Sequence, residues 1–134
     1  MERLMELVEK SKIAMVGSID SENFPNIKAM MNLKSEGLKK LWFSTNTSTR
    51  RVEDFKNNSK ACVYYVDEDE FKGLMLVGTI EVTQDDDLRK MLWSDGCEVY
   101  YPLGINDPDY SVFCFTAVKG NFYQGLKNVD FEID

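Results

Sequence analysis

The chain has 134 residues, with 16 basic against 23 acidic side chains, a formal charge of −7, 43% hydrophobic residues and no histidine. That length fits a single domain, 1–134, able to bury a core without staples. The charge argues against non-specific binding to nucleic acid or an anionic membrane, and the missing histidine removes Cys/His zinc sites and Ser-His-Asp or Cys-His catalysis.

Residues 2–11 read as a short helix, with Leu4, Leu7 and Val8 at helical spacing. The stretch MERLMELVEKSK is charged and amphipathic, unlike a secretory leader. No apolar run approaches the roughly 20 residues of a membrane span. The expectation is a soluble, cytoplasmic protein.

KIAMVGSI (12–19) reads as a strand, buried on both sides because its first half lacks polar alternation. DSENFP (20–25) is a turn closed by Pro25. NIKAMMNLK (26–34) is a second strand, with Ile27, Ala29, Met31 and Leu33 on one face and Lys28, Met30, Asn32 and Lys34 on the other. A turn with Gly37 leads to a third strand, KLWFST (40–45).

A helix is expected over 48–58, with Ser48 as N-cap or Thr47 in its place. Val52 and Phe55 supply its buried stripe. KACVYYV (60–66) and LMLVGTIEVT (74–83) are the fourth and fifth strands, joined by the solvated acidic loop DEDEFKG. Gly78, inside the fifth, signals a bulge or the close approach of another backbone or ligand. QDDDLRKMLW (84–93) is helical, with its aspartates at the favourable end. Residues 94–110 are irregular and aromatic. SVFCFTAVKGNFYQG (111–125) is a strand pair or one strand bent at Gly120, and KNVDFEID adds an edge strand.

The order β-β-β-α-β-β-α-β-β, mainly β with few helices and short turns, predicts an antiparallel barrel with helices at its edge. No G-x-G-x-x-G follows a strand and no P-loop is present. Cys62 and Cys114 lie in apolar strands and read as small hydrophobes. Cys97, beside Gly96, is expected to be more exposed, with no base nearby in sequence to activate it.

The sharpest local signal is FSTNTSTRRVEDF (43–55). Arg50 and Arg51 stand in a helix's first turn, where the dipole disfavours cations by about 0.3–1 kcal/mol. The same helix end, with its free N–H groups, is an anion site. Thr45, Thr47, Ser48 and Thr49 add hydroxyls, and the guanidinium forks match phosphate oxygens. The competing reading has both arginines solvated or paired with Glu53, Asp54 or Asp85–Asp87. Lys28, flanked by Ala29, Met30 and Met31, either faces the same anion across neighbouring strands or points outward.

PNIKAMMNLK (25–34), LWFSTNTSTRRVEDFKNNSKACVYY (41–65), LMLVGTIEVTQDDDLRKMLW (74–93) and YYPLGINDPDYSVFCF (100–115), in that order and spacing, resemble the FMN-binding split-barrel proteins related to pyridoxamine 5′-phosphate oxidase, short general-stress-protein type. The resemblance implies an antiparallel split β-barrel with FMN at a homodimer interface. It implies that Lys28 contacts the flavin or its phosphate and that the backbone of Ala29 and Met30 lies along the isoalloxazine ring. Ser44 and Thr45 would bond ribityl or phosphate oxygens, and Arg50 and Arg51 would grip the phosphate. Trp93 and Tyr101 fall where short members approach the flavin from the partner subunit. There are two departures: Leu33 stands where the oxidase has a second basic residue, and its C-terminal Arg-x-His element is absent.

The expected function is an FMN-dependent oxidoreductase, not a true pyridoxamine phosphate oxidase, taking electrons from a nicotinamide or other small-molecule donor. The alternative is a non-catalytic protein that stores or senses a flavin, haem or deazaflavin. Haem is disfavoured because iron would have to be ligated by Tyr, Cys or Met. A third option is an interaction module with a degenerate site.

Overall fold

A computed structural model describes residues 2–134. Helix α1 (Glu2–Lys10) precedes β1 (Ile13–Ile19), β2 (Pro25–Met31), β3 (Lys34–Glu36) and β4 (Lys40–Asn46). Helix α2 (Arg50–Asn57) leads to β5 (Lys60–Asp67) and β6 (Lys72–Thr83), and α3 (Asp86–Leu92) to two 3₁₀ turns, Cys97–Val99 and Gly104–Asn106. The chain ends with β7 (Tyr110–Gln124) and β8 (Lys127–Glu132).

The strands form one antiparallel sheet in the order β2-β1-β5-β6-β7-β4-β3, with β8 also on β7. The 15-residue β7 is a single strand, not a pair, and curls the sheet. Its first half pairs with β4, its second half with β8, and β6 runs along its other edge throughout. The curvature is relieved at a bulge between Val77 and Gly78. A Cβ at Gly78 would collide with the Thr116 carbonyl, so the close backbone approach expected there is present.

Inward-facing Ala14, Val16, Leu41, Phe43, Leu76, Phe113 and Phe115 make the core, with Val52 and Phe55 of α2 closing one side. Leu7 and Val8 of α1 join the same core. Asn32 fixes that helix by donating to the Val8 and Ser11 carbonyls (2.6 and 2.8 Å) while accepting from the Tyr65 hydroxyl (3.0 Å). A smaller cluster of Leu92, Tyr101, Tyr110 and Val112 packs beneath α3.

Four expectations are corrected. The second strand stops at Met31, and Lys34 belongs to a separate strand paired with Trp42. Helix α2 begins at Arg50, not at 48. The N-cap is neither Ser48 nor Thr47 but Thr49. Finally, β1 is not buried on both faces throughout: Ala14 and Val16 are enclosed, whereas on the other face Ile13 and Met15 are exposed and only Gly17 is covered. By register, Ile13 lies opposite Met31, Met15 opposite Ala29, and Gly17 opposite Ile27, so the uncovered side chains share one sheet face.

Candidate functional site

Strand β4 ends with Thr45 turned inward and Ser44 and Asn46 on the other face. The chain then turns through Thr47, Ser48 and Thr49 into α2. The segment Asp107-Pro108-Asp109 clamps that turn. The Asp109 carboxylate accepts from the Ser48 amide (2.7 Å) and Asn46 Nδ2 (2.8 Å), and the Thr47 amide donates to the Asp109 carbonyl (2.7 Å). The bonds to the carboxylate, Asn46 first and then Ser48, hold the Asp109 pKa below the ordinary aspartate value. Asp107 braces the clamp, accepting from the amides of Leu103 and Asp109 (3.0 and 2.9 Å).

This arrangement explains the shifted cap. Ser48 is engaged with Asp109 through both its amide and its hydroxyl. Thr49 takes the N-cap position with extended backbone (φ −73°, ψ 151°), yet its side chain does not cap the helix. Its Oγ1 is enclosed and has no hydrogen-bond partner within the protein.

Thr49 faces a cavity of about 370 Å³. Ala29, Met30, Met31 and Leu33 form one wall, with Ser44, Thr45 and Asn46 from the end of β4. Thr49 and Arg51 enter from α2, and Ser94, Asp95, Gly96, Cys97, Tyr100 and Tyr101 from the loop after α3. Thr45 is only 4% exposed, and its Oγ1 also lacks a partner, as does Nε of Arg51. Ser44 Oγ is in the same state, so four residues of one cavity wall carry an enclosed polar atom unsatisfied by the protein itself, at a cost of about 1–3 kcal/mol each.

Of the residues singled out in the sequence, Ala29, Met30, Ser44, Thr45, Thr49, Arg51 and Tyr101 line this cavity. Lys28, Ser48, Arg50 and Trp93 are not in its wall. Lys28 is exposed on β2. Arg50 is directed to Asn26 Oδ1 (3.2 Å) and lies 3.9 Å from the buried Asp54 carboxylate, an ion pair without a hydrogen bond. Trp93 sits behind the wall, its ring 6.2 Å from Tyr101 and 5.6 Å from Tyr110.

Burial lowers the Arg51 pKa, with Asp54 opposing the shift and Arg50 adding to it. Arginine remains charged at any physiological pH, so the cavity holds a partly desolvated cation. Tyr101 stacks on Tyr110 at 4.4 Å, and burial drives its hydroxyl well above the ordinary tyrosine pKa. Tyr110 is anchored by donating to the Arg89 carbonyl (2.7 Å). The cavity thus combines a cation and free hydroxyls with an apolar and aromatic wall, which suits an anion with an oxygen-rich tail and a flat apolar body.

Residues 94–97 and Tyr100, with Met31, Leu33 and Asn46, line the cavity without having been singled out as cofactor contacts. The available signal was the SDG turn at 94–96, where Gly96 takes φ 98° and brings Cys97 back toward the barrel.

A sequence profile described as pyridoxamine 5′-phosphate oxidase like matches residues 1–131. A crystal structure from Clostridium acetobutylicum, of a protein related to general stress protein 26 of Bacillus subtilis (pyridoxinephosphate oxidase family), is 61% identical. The match covers 99% of this chain and 94% of that one, with a TM-score of 0.90. General stress protein 26 from Bacillus anthracis is 14% identical with a TM-score of 0.83, over 98% of this chain and 97% of that one. A heme binding protein from Mycobacterium smegmatis is 12% identical with a TM-score of 0.74, over 94% of this chain and 55% of that one. The last two share the fold. No curated protein matches the sequence.

Proposed function

From the premise that this chain belongs to the pyridoxamine 5′-phosphate oxidase-like family, we propose that it binds FMN and works as a small flavin-dependent oxidoreductase. The observation that carries this reading is that Ser44, Thr45, Thr49 and Arg51, each with an enclosed and unpartnered polar side-chain atom, line one cavity. A phosphate ester with a polyol tail supplies hydrogen-bond partners for such a set.

In this reading Arg51 holds the phosphate, and Ser44, Thr45 and Thr49 hold phosphate or ribityl oxygens. Ala29, Met30 and Met31 lie along the ring, with Tyr101 in the opposite wall. Bound FMN supplies hydride-accepting redox chemistry that no side chain supplies. The protein's part is to position the ring, exclude water from its apolar side, and place the Arg51 charge. A second copy of the chain completes the cavity, because Ala29 and Met31 belong both to its wall and to the uncovered sheet face. Among the described residues no helix is long and apolar enough to cross a membrane. Nicotinamide nucleotides are the proposed electron donor.

A purely binding role is the second reading. It is favoured by the absence of any histidine, the side chain best suited to proton transfer at neutral pH. Haem fits this cavity less well than flavin, since the chain has no histidine and the softer donors in the wall are Cys97, Met30 and Met31. The test is to load purified protein with FMN, pass it through gel filtration and record its spectrum. Retained flavin absorbance is expected, and its complete absence overturns the proposal. NADH or NADPH oxidation by the loaded protein then separates enzyme from binder.

A further inference from the structure

We propose that the groove between α1 and the inner face of the sheet at β6, β7 and β8 binds a single-chain amphiphilic anion, a medium-chain fatty carboxylate. The inference does not depend on the FMN reading.

Strand register builds this groove in rows. Lys72, Gln124 and Lys127 are cross-strand partners, and so are Leu74, Phe122 and Val129, two residues further along each strand. Both rows therefore face the same side as the core residue Leu74. Phe131 extends the apolar floor, and α1 contributes Leu4 and Arg3. The cavity has a volume of about 280 Å³ and shares no residue with the first one. Its floor is open to a ligand, since Val129 is 40% exposed.

Three cations line the groove, Arg3, Lys72 and Lys127, and among the described residues no carboxylate does. On a chain of charge −7 that segregation is local. It follows from strand alternation: Asp130 and Glu132 of β8 turn to the other face, where they line a different groove with Met75 and Val77. Lys72 and Lys127 flank β7 two strand spacings apart, roughly 9–10 Å, so an anion between them relieves their repulsion. Among the described residues Arg3 and Lys127 form no ion pair, and Lys72 pairs only with the exposed Glu70, at 2.7 Å. The Lys72 side chain is only 14% exposed, so its charge acts on an anion with less solvent screening than a surface lysine does.

Charge and shape together select the occupant. The lysine and Gln124 row takes an anionic head, and the adjoining apolar row takes a chain, so one small molecule spans both. The net charge of −7 disfavours anions in general; an anion held here is held by the groove itself. A neutral amphiphile gains only the floor, and a cationic one meets repulsion.

The experiment titrates the isotope-labelled full chain with sodium decanoate, below its micelle concentration, and follows the backbone amides by NMR. Expected are saturable shifts at Lys72, at residues 122–131 and at the start of α1. Affinity should rise about two- to fourfold per methylene from hexanoate to decanoate. Decan-1-ol and decyltrimethylammonium should bind roughly tenfold more weakly or worse. Arg3→Glu with Lys127→Glu, both exposed and outside the core and the first cavity, should weaken decanoate binding by about tenfold or more. Shifts confined to the first cavity or to the face of Ile13 and Ile27, no saturable shifts, decan-1-ol binding as tightly as decanoate, or a double variant that binds decanoate as wild type does each overturns the proposal. So does binding to phosphatidylglycerol vesicles without a response to monomeric decanoate, which would make the groove a membrane-docking face. The wild-type shift map decides the matter even where the double variant fails to fold.

Discussion

Arg50 and Arg51 are neighbours in sequence but diverge in space: Arg51 lines the cavity, whereas Arg50 reaches outward to Asn26 Oδ1 at 3.2 Å. Successive helical residues are separated by about a quarter-turn or more, so the pair cannot serve one small ligand equally. Arg51→Ala is expected to weaken FMN binding about 10- to 150-fold, the loss of roughly 1.5–3 kcal/mol from a charge-assisted contact. Arg50→Ala removes a solvent-screened cation whose contacts are worth about 0–1 kcal/mol, so a change below about fivefold is expected. Fluorescence titration of both variants checks this, and equal losses would contradict the assignment of the phosphate to Arg51.

The Asp109 clamp gives the turn at 46–48 a pH dependence. Its folded-state pKa lies below the ordinary aspartate value, chiefly through Asn46. A depressed carboxylate pKa contributes stability that is fully present above the unfolded pKa, about 3.9. That stability is lost as pH falls through the lower folded value. The group is only partly buried, so the contribution is discounted for solvent screening to about 0.5–1 kcal/mol. Asp109→Asn should therefore be less stable than wild type in urea melts at pH 7, with the gap constant down to about pH 5. The gap should close below about pH 4. A gap unchanged at pH 3 would mean that the clamp acts through shape and not charge.

The longer inner strands were legible because they carry an apolar inner face and are bounded by turn residues. Asp20 shows it: its carboxylate accepts from the Glu22 and Phe24 amides to close the first turn, as DSENFP suggested. The start of α2 was less legible. Thr47, Ser48 and Thr49 are all competent caps, and the choice is made by Asp109, about 60 residues away in sequence. The outward turn of Arg50 depends on helix phase, which local pattern leaves open. Strand β3 was missed because three residues are too few for a period. The exposure of Ile13 and Met15 was hidden for another reason: an uncovered apolar face and a buried one have the same composition.

Gly78 is the position where curvature has the least tolerance. A Cβ there meets the Thr116 carbonyl, a main-chain atom that no rotamer change can move. Gly78→Ala should destabilise the fold by about 3 kcal/mol, the upper end of typical overpacking costs. The check is a lower urea midpoint with unchanged m-value. By contrast, Gly96→Ala should cost less in contacts, because nothing lies within 4 Å of its Cβ direction, and its penalty comes from φ 98° alone.

The face shared by Ile13, Met15, Ile27 and Met31 is the largest departure from a self-contained barrel. Ile27 is 70% exposed and Met31 59%, on a strand at the sheet's edge. A second copy placed there buries these side chains at about 1.5–3 kcal/mol each. It also shields the β2 side of the cavity. Ile13→Glu with Ile27→Glu leaves the core untouched, since neither side chain belongs to it. The double variant should fold with a wild-type far-ultraviolet spectrum yet elute as a monomer in light-scattering chromatography where wild type elutes as a dimer. Because Ala29 and Met31 serve both the face and the cavity, it should also retain FMN at least tenfold more weakly. A monomeric wild type would refute the interface. A monomeric variant with wild-type FMN affinity would show that each chain holds its cofactor alone, since separation would then have removed nothing the ligand touches.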